Sequence, residues 1–78
     1  MAKYVGELLG HRVVAELSEL TASYYVDVDG VRRADGAQVL ADQNFRMDLD
    51  GHLLLIRFHG KVMGHIEDLL DNKVVYSA

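Results

Sequence analysis

Asn44–Ile66, NFRMDLDGHLLLIRFHGKVMGHI, is the stretch whose reading decides the fold. Asp50-Gly51 sits between alternating apolar residues, and a two-residue hairpin turn needs positive φ at both central positions, which Asp-Gly supplies. A turn there pairs Leu49 with His52, Met47 with Leu54 and Phe45 with Ile56. His59-Gly60, treated as a second two-residue turn, pairs Phe58 with Lys61, Ile56 with Met63 and Leu54 with His65. Both registers gather Phe45, Met47, Leu49, Leu54, Ile56, Phe58 and Met63 on one face. A slip of one residue in either strand pair would mix the faces.

The opposite face then reads Arg46, Asp48, Leu53, Leu55, Arg57, Val62, Gly64 and Ile66. It alternates too weakly for a solvated sheet face, because four large apolar residues stand among charges. The expectation is that a helix of the same chain or a second chain covers it. Arg46, Leu53, Leu55, Arg57, Val62 and Ile66 are therefore the candidate partner-binding residues.

Outward from this stretch the signals are more ambiguous. Over residues 4–20, Val5, Leu8, Leu9, Val13, Leu17 and Leu20 recur at helical spacing. Gly6 and Gly10 each cost a helix about 1 kcal/mol relative to alanine. A helix is the preferred reading; two strands broken at Gly10-His11 are the alternative. Tyr24–Val28 alternates and is rich in β-formers. Asp29-Gly30 repeats the turn signal, pairing Val28 with Val31, Asp27 with Arg32 and Val26 with Arg33. Asp35-Gly36 is a further turn signal, with Ala37–Ala41 as a short strand or helical turn after it. Ile66, Leu69 and Leu70, with Glu67 and Asp68 early and Asn72-Lys73 late, have the spacing and polarity of a short helix. Asn72 then ends that helix and Val74–Tyr76 forms a closing strand. YYVDVDG at 24–30 echoes FRMDLDG at 45–51, which is read as shared turn chemistry rather than duplication.

The fold expected is α+β, a single domain over residues 1–78: an N-terminal helix packed on an antiparallel meander of four to five strands, with a short C-terminal helix. Seventy-eight residues without cysteine must draw stability from packing or from association. No apolar run approaches the roughly 18 residues of a membrane span, and the N-terminus has too short an apolar centre for a secretory signal. The expectation is a soluble cytoplasmic protein. The net charge is −4 and the eight Lys and Arg are scattered, which speaks against the clustered cations that neutralise phosphates.

No catalytic signature is present. The serines Ser18, Ser23 and Ser77 lie outside any Gly-x-Ser-x-Gly context, and Gly60-Lys61 lacks the rest of a phosphate loop. The acidic turns fail as EF-hand loops at both the first and the twelfth ligand positions. His52 and His65, diagonal in the register above, with Glu67 opposite His52, make an incomplete zinc set; two rim histidines are the preferred reading. No metal and no cofactor is expected. Glu67, Asp68 and Asp71 read as a solvated helix face that keeps a small domain soluble. Tyr24, Tyr25 and Phe45 have the chemistry to stack bases, but without a basic surround they read as core or interface packing.

The function expected is a non-enzymatic protein-binding module, a homodimer acting as a small inhibitor or adaptor. In size, acidity and lack of cysteine the chain resembles the phage-encoded inhibitors of the anti-CRISPR kind. The alternative is a small nucleic-acid-binding barrel using Arg12, Arg32, Arg33, Arg46 and Arg57. A helix followed by a meander is similar in layout to the Sm-like barrels, whose sequence motifs this chain lacks.

Overall fold

Eight β-strands and no helix make up residues 2–18, 23–36, 43–59 and 65–77, the part of the chain that the computed structural model describes. They are β1 (Ala2–Leu8), β2 (His11–Ser18), β3 (Ser23–Val28), β4 (Val31–Gly36), β5 (Gln43–Leu49), β6 (His52–His59), β7 (His65–Leu70) and β8 (Lys73–Ser77). They form two four-stranded antiparallel meanders, β1-β2-β3-β4 and β5-β6-β7-β8. The fold is all-β, and the α+β expectation is overturned at both ends of the chain.

The predicted helix over 4–20 is instead the hairpin β1–β2. Its turn is Leu9-Gly10, with φ of +53° and +80°, so the alternative break beside Gly10 is the one realised. The apolar spacing that mimics a helical stripe divides between the faces of two strands: Val13 and Leu17 are buried, and Val5 lies half exposed on the outside. The predicted C-terminal helix is the hairpin β7–β8. Asp71 and Asn72 both have positive φ, so the left-handed Asn72 is present but closes a turn rather than a helix. Asp29-Gly30 and Asp50-Gly51 complete a set of four two-residue turns with positive φ at both positions. That is the type I′ geometry, whose twist matches that of the flanking strands. At Gly51 (φ +85°) any side chain would strain the backbone.

The register across Asp50-Gly51 is the one the sequence predicts: Leu49 opposes His52, Met47 opposes Leu54 and Phe45 opposes Ile56. Asp27 opposes Arg32 and Val28 opposes Val31, also as expected. Val26 opposes Ala34 rather than Arg33, because the register shifts between Val26 and Asp27. Asp35 and Gly36 belong to β4 and form no turn; Ala37–Ala41 lies outside the described residues. His59-Gly60 is not a two-residue turn either. β6 ends at His59 and β7 begins at His65, its partner, so Phe58 opposes Ile66, Ile56 opposes Asp68 and Leu54 opposes Leu70. Lys61, Val62 and Met63 lie outside the described residues.

One core joins the two meanders. Val13, Ala15, Leu17, Val26 and Val28 from the first sheet cluster with Leu49, Leu54, Ile56, Phe58 and Ile66 from the second. Tyr24 meets Phe58 (ring centroids 4.9 Å apart) and Tyr4 meets Tyr76 (4.6 Å) across the sheets. The Tyr76 hydroxyl also donates to the Lys3 carbonyl at 3.2 Å. The Cα radius of gyration is 11.6 Å, matching the roughly 11.5 Å that globular scaling gives a chain of this length.

The halves repeat one another. Each is a meander of four strands whose outer hairpins close with positive-φ pairs, and the third and fourth strands shift register at equivalent places, Val26/Asp27 and Asp68/Leu69. His11 and His52 both open a second strand, while Asp29 and Asp71 both open the last turn. The echo between 24–30 and 45–51 matches β3 to β5, which are not equivalent strands.

Candidate functional site

Two features outside the core carry chemistry: a histidine–carboxylate cluster at the turns, and the outer face of the second sheet.

At the turns, Asp29 Oδ1 accepts the Arg12 amide (3.0 Å) while its own amide donates to the Arg12 carbonyl (2.8 Å). Asp71 does the same with Leu53, at 3.0 and 2.9 Å. Each carboxylate then uses its second oxygen on a histidine: His11 Nδ1 lies 2.6 Å from Asp29 Oδ2, and His52 Nδ1 lies 2.5 Å from Asp71 Oδ2. His11 differs from its twin in that Nε2 reaches Asp50 Oδ2 at 2.7 Å. Ionised carboxylates only accept, so His11 satisfies both only as the imidazolium. Leu9 stands where the second half has Asp50, which is why His52 lacks the equivalent bond.

The hydrogen bonds to Asp29 and Asp50 raise the His11 pKa above 6.5, and the bond to Asp71 raises that of His52. The same bonds hold Asp29 and Asp71 below 3.8. A histidine with a raised folded pKa stabilises fully below 6.5, and the gain is lost as pH rises through the raised value. The two carboxylates stabilise above 3.8 and lose their contribution as pH falls through their lowered values. NMR titration should place both imidazole midpoints above 6.5, and Asp71→Asn should bring His52 back toward it while leaving His11 unchanged.

These histidines hold turns together. His52 and His65, paired on one face by the two-turn register, sit at opposite ends of the sheet. His65 instead opposes and stacks near His59 (5.3 Å) and lies 3.4 Å from Ser77 Oγ. Glu67 pairs with Arg57 at 3.5 Å and does not approach His52. Among the described residues no three His, Asp or Glu side chains are grouped to hold a metal ion. The supposed solvated acidic face is also dispersed: Asp71 caps a turn, Glu67 faces Arg57, and Asp68 is fully buried.

The outer face of the second sheet keeps four of the six candidate partner-binding residues together. Arg46, Leu55, Leu69 and Val74 are successive register partners across β5, β6, β7 and β8. Leu53 lies in the next row, opposite Asp48, and Arg57 lies on the other side, between Asn44 and Glu67. Leu53 is 37% exposed and Val74 56%. Ile66 is corrected: it opposes Phe58 and is wholly buried in the core, because the longer β6–β7 connection turns β7 over relative to the predicted phase. Val62 lies outside the described residues. Leu69 was missed because its segment reads as helix, and Val74 because its closing strand had no partner assigned across that helix.

The arginines do not converge. Arg32 pairs with Asp27 and covers the Tyr25 ring at 4.1 Å, Arg57 faces Glu67, and Arg46 lies on the other sheet from Arg12, Arg32 and Arg33. Tyr24 and Phe45 pack against the core. Among the described residues no helix is long and apolar enough to cross a membrane. Comparison with protein-family models, with curated proteins and with solved structures finds no match.

Proposed function

We propose that this chain is a non-enzymatic protein-binding module that uses the outer face of β5–β8, with a second copy of itself as its partner. The observation that carries this is the apolar row Leu55, Leu69 and Val74, flanked by Leu53, on the outer side of the second sheet, where Val74 and Leu53 are exposed, Leu55 is half-buried and Leu69 is buried. Contiguous exposed apolar surface marks interaction sites. The rim carries both signs, Arg46 and Arg57 against Asp48 and Glu67, as a self-complementary isologous contact requires. The neighbouring face of β1–β4 is more polar, with Lys3–Glu16 and Arg32–Asp27 pairs across its strands. An inhibitor or adaptor role follows from the same surface if a different protein competes for it. The nucleic-acid alternative is disfavoured by the dispersal of the arginines over both sheets, with Arg32 and Arg57 held in ion pairs, and its Sm-like form loses its basis with the N-terminal helix.

Size-exclusion chromatography with light scattering tests the proposal. The wild-type chain is expected to run at twice the monomer mass at micromolar concentration, and Leu55→Asp to reduce it to the monomer. A wild type that stays monomeric up to millimolar concentration defeats the self-association.

A further inference from the structure

Asp68 is the one buried charged residue among the described residues, and neither of its carboxylate oxygens has a hydrogen-bond partner. Its slot is equivalent to that of Val26 in the first half, also wholly buried, and both lie at the register shift of the third strand. The molecule has therefore placed an acid where its own repeat uses valine. We propose that Asp68 is a proton switch on the closure of the two sheets: the carboxyl is neutral in the closed molecule, and its ionisation loosens the seam between β1 and the β7–β8 hairpin.

The surroundings offer an anion nothing. On its own sheet Asp68 opposes Ile56 of β6 and Tyr76 of β8. From the other sheet Tyr4 of β1 faces the same region, and β2 contributes the apolar Val13, Ala15 and Leu17 to the core. Among the described residues the titratable neighbours are thus two phenols, and one of them, Tyr76, has its hydroxyl committed to the Lys3 carbonyl. The Lys3–Glu16 pair lies on the outer side of β1 and β2, since both residues alternate with the inward Tyr4 and Ala15. Burial without compensation disfavours the charged form, and it pushes the Asp68 pKa up to about 7. The seam consists of the Tyr4–Tyr76 contact and the Tyr76–Lys3 hydrogen bond, next to the acid.

The folded pKa is raised above the ordinary 3.8, so the native state binds the proton more tightly than the unfolded chain does. Stability is highest below the ordinary carboxylate range and falls as pH rises through about 4 to 7. The test is denaturant unfolding of the full chain at pH 5.5 and 8.5, for wild type, Asp68→Asn and Asp68→Val, with the Asp68 carboxyl carbon followed by NMR in the wild type. The unfolding constant of the wild type is expected to rise about thirtyfold more over that interval than in either variant, with amide exchange accelerating first in β1 and β8. The histidines titrate identically in all three chains, so the difference isolates Asp68. A carboxyl midpoint near 4, or variants that keep the wild-type pH slope, overturns the switch; should both variants fail to fold, the wild-type midpoint alone decides it.

Discussion

Leu54→Asp is expected to unfold the chain, whereas Leu55→Asp is expected to leave it folded. Adjacent strand residues point to opposite faces, and here Leu54 is wholly buried in the shared core while Leu55 looks outward beside Arg46 and Leu69. An unpaired carboxylate at Leu54 costs several kcal/mol, and a domain of this length has only about 4–12 kcal/mol in total. At Leu55 the cost to the monomer is about 1 kcal/mol or less, and the loss falls on association. Circular dichroism and thermal unfolding of the two variants read the difference. A folded Leu54→Asp, or an unfolded Leu55→Asp, would mean that β6 is phased the other way.

Phe58→Ala carries the second large effect. Phe58 is fully buried and its ring lies against Tyr24 of the first sheet, so the truncation leaves a cavity where the halves meet. Phe→Ala in a packed core costs about 3–5 kcal/mol, roughly a quarter or more of the total of about 4–12 kcal/mol. The denaturation midpoint should drop by that fraction for both halves together, since one core serves both sheets. Loss of structure confined to β5–β8, with β1–β4 still protected from exchange, would contradict a common core.

What the sequence disclosed depended on how strongly each turn is marked. Asp-Gly at 29–30 and 50–51 states its conformation openly; the register around 50–51 follows from it, and that around 29–30 follows through the Asp27–Arg32 pair but not at Val26, where it shifts. Leu9-Gly10 adopts the same geometry with a bulky residue at the first position. A leucine there costs about 1–2 kcal/mol and carries no turn signal, so the segment reads as one helical stripe. Asp71-Asn72 is ambiguous for another reason: left-handed Asn serves a helix end and a type I′ turn equally well. The strand before it hides its alternation twice over, through an acid in the core slot at Asp68 and a register shift at Asp68/Leu69 that sets two buried residues in succession. Ile66, Leu69 and Leu70 then fall at helical spacing by accident. His59-Gly60 shows the opposite error, a turn-like pair that the chain does not use as a two-residue turn. Of the candidate surface, Arg46, Leu53, Leu55 and Arg57 were legible because they follow from the Asp50-Gly51 register alone. Ile66 depended on the false second turn and faces the core. The histidine clamps join residues 18 and 19 positions apart, a separation that only the closed meander brings together.

The central claim is that the two meanders stack face to face and share one hydrophobic interior. Side-chain NOE spectroscopy tests it most directly, through two aromatic pairs drawn from different halves of the chain. Cross-peaks between the Tyr24 and Phe58 rings, and between those of Tyr4 and Tyr76, are predicted at dilutions where the chain is monomeric. Their absence, in a sample whose strand pairings within each meander are intact, would contradict it.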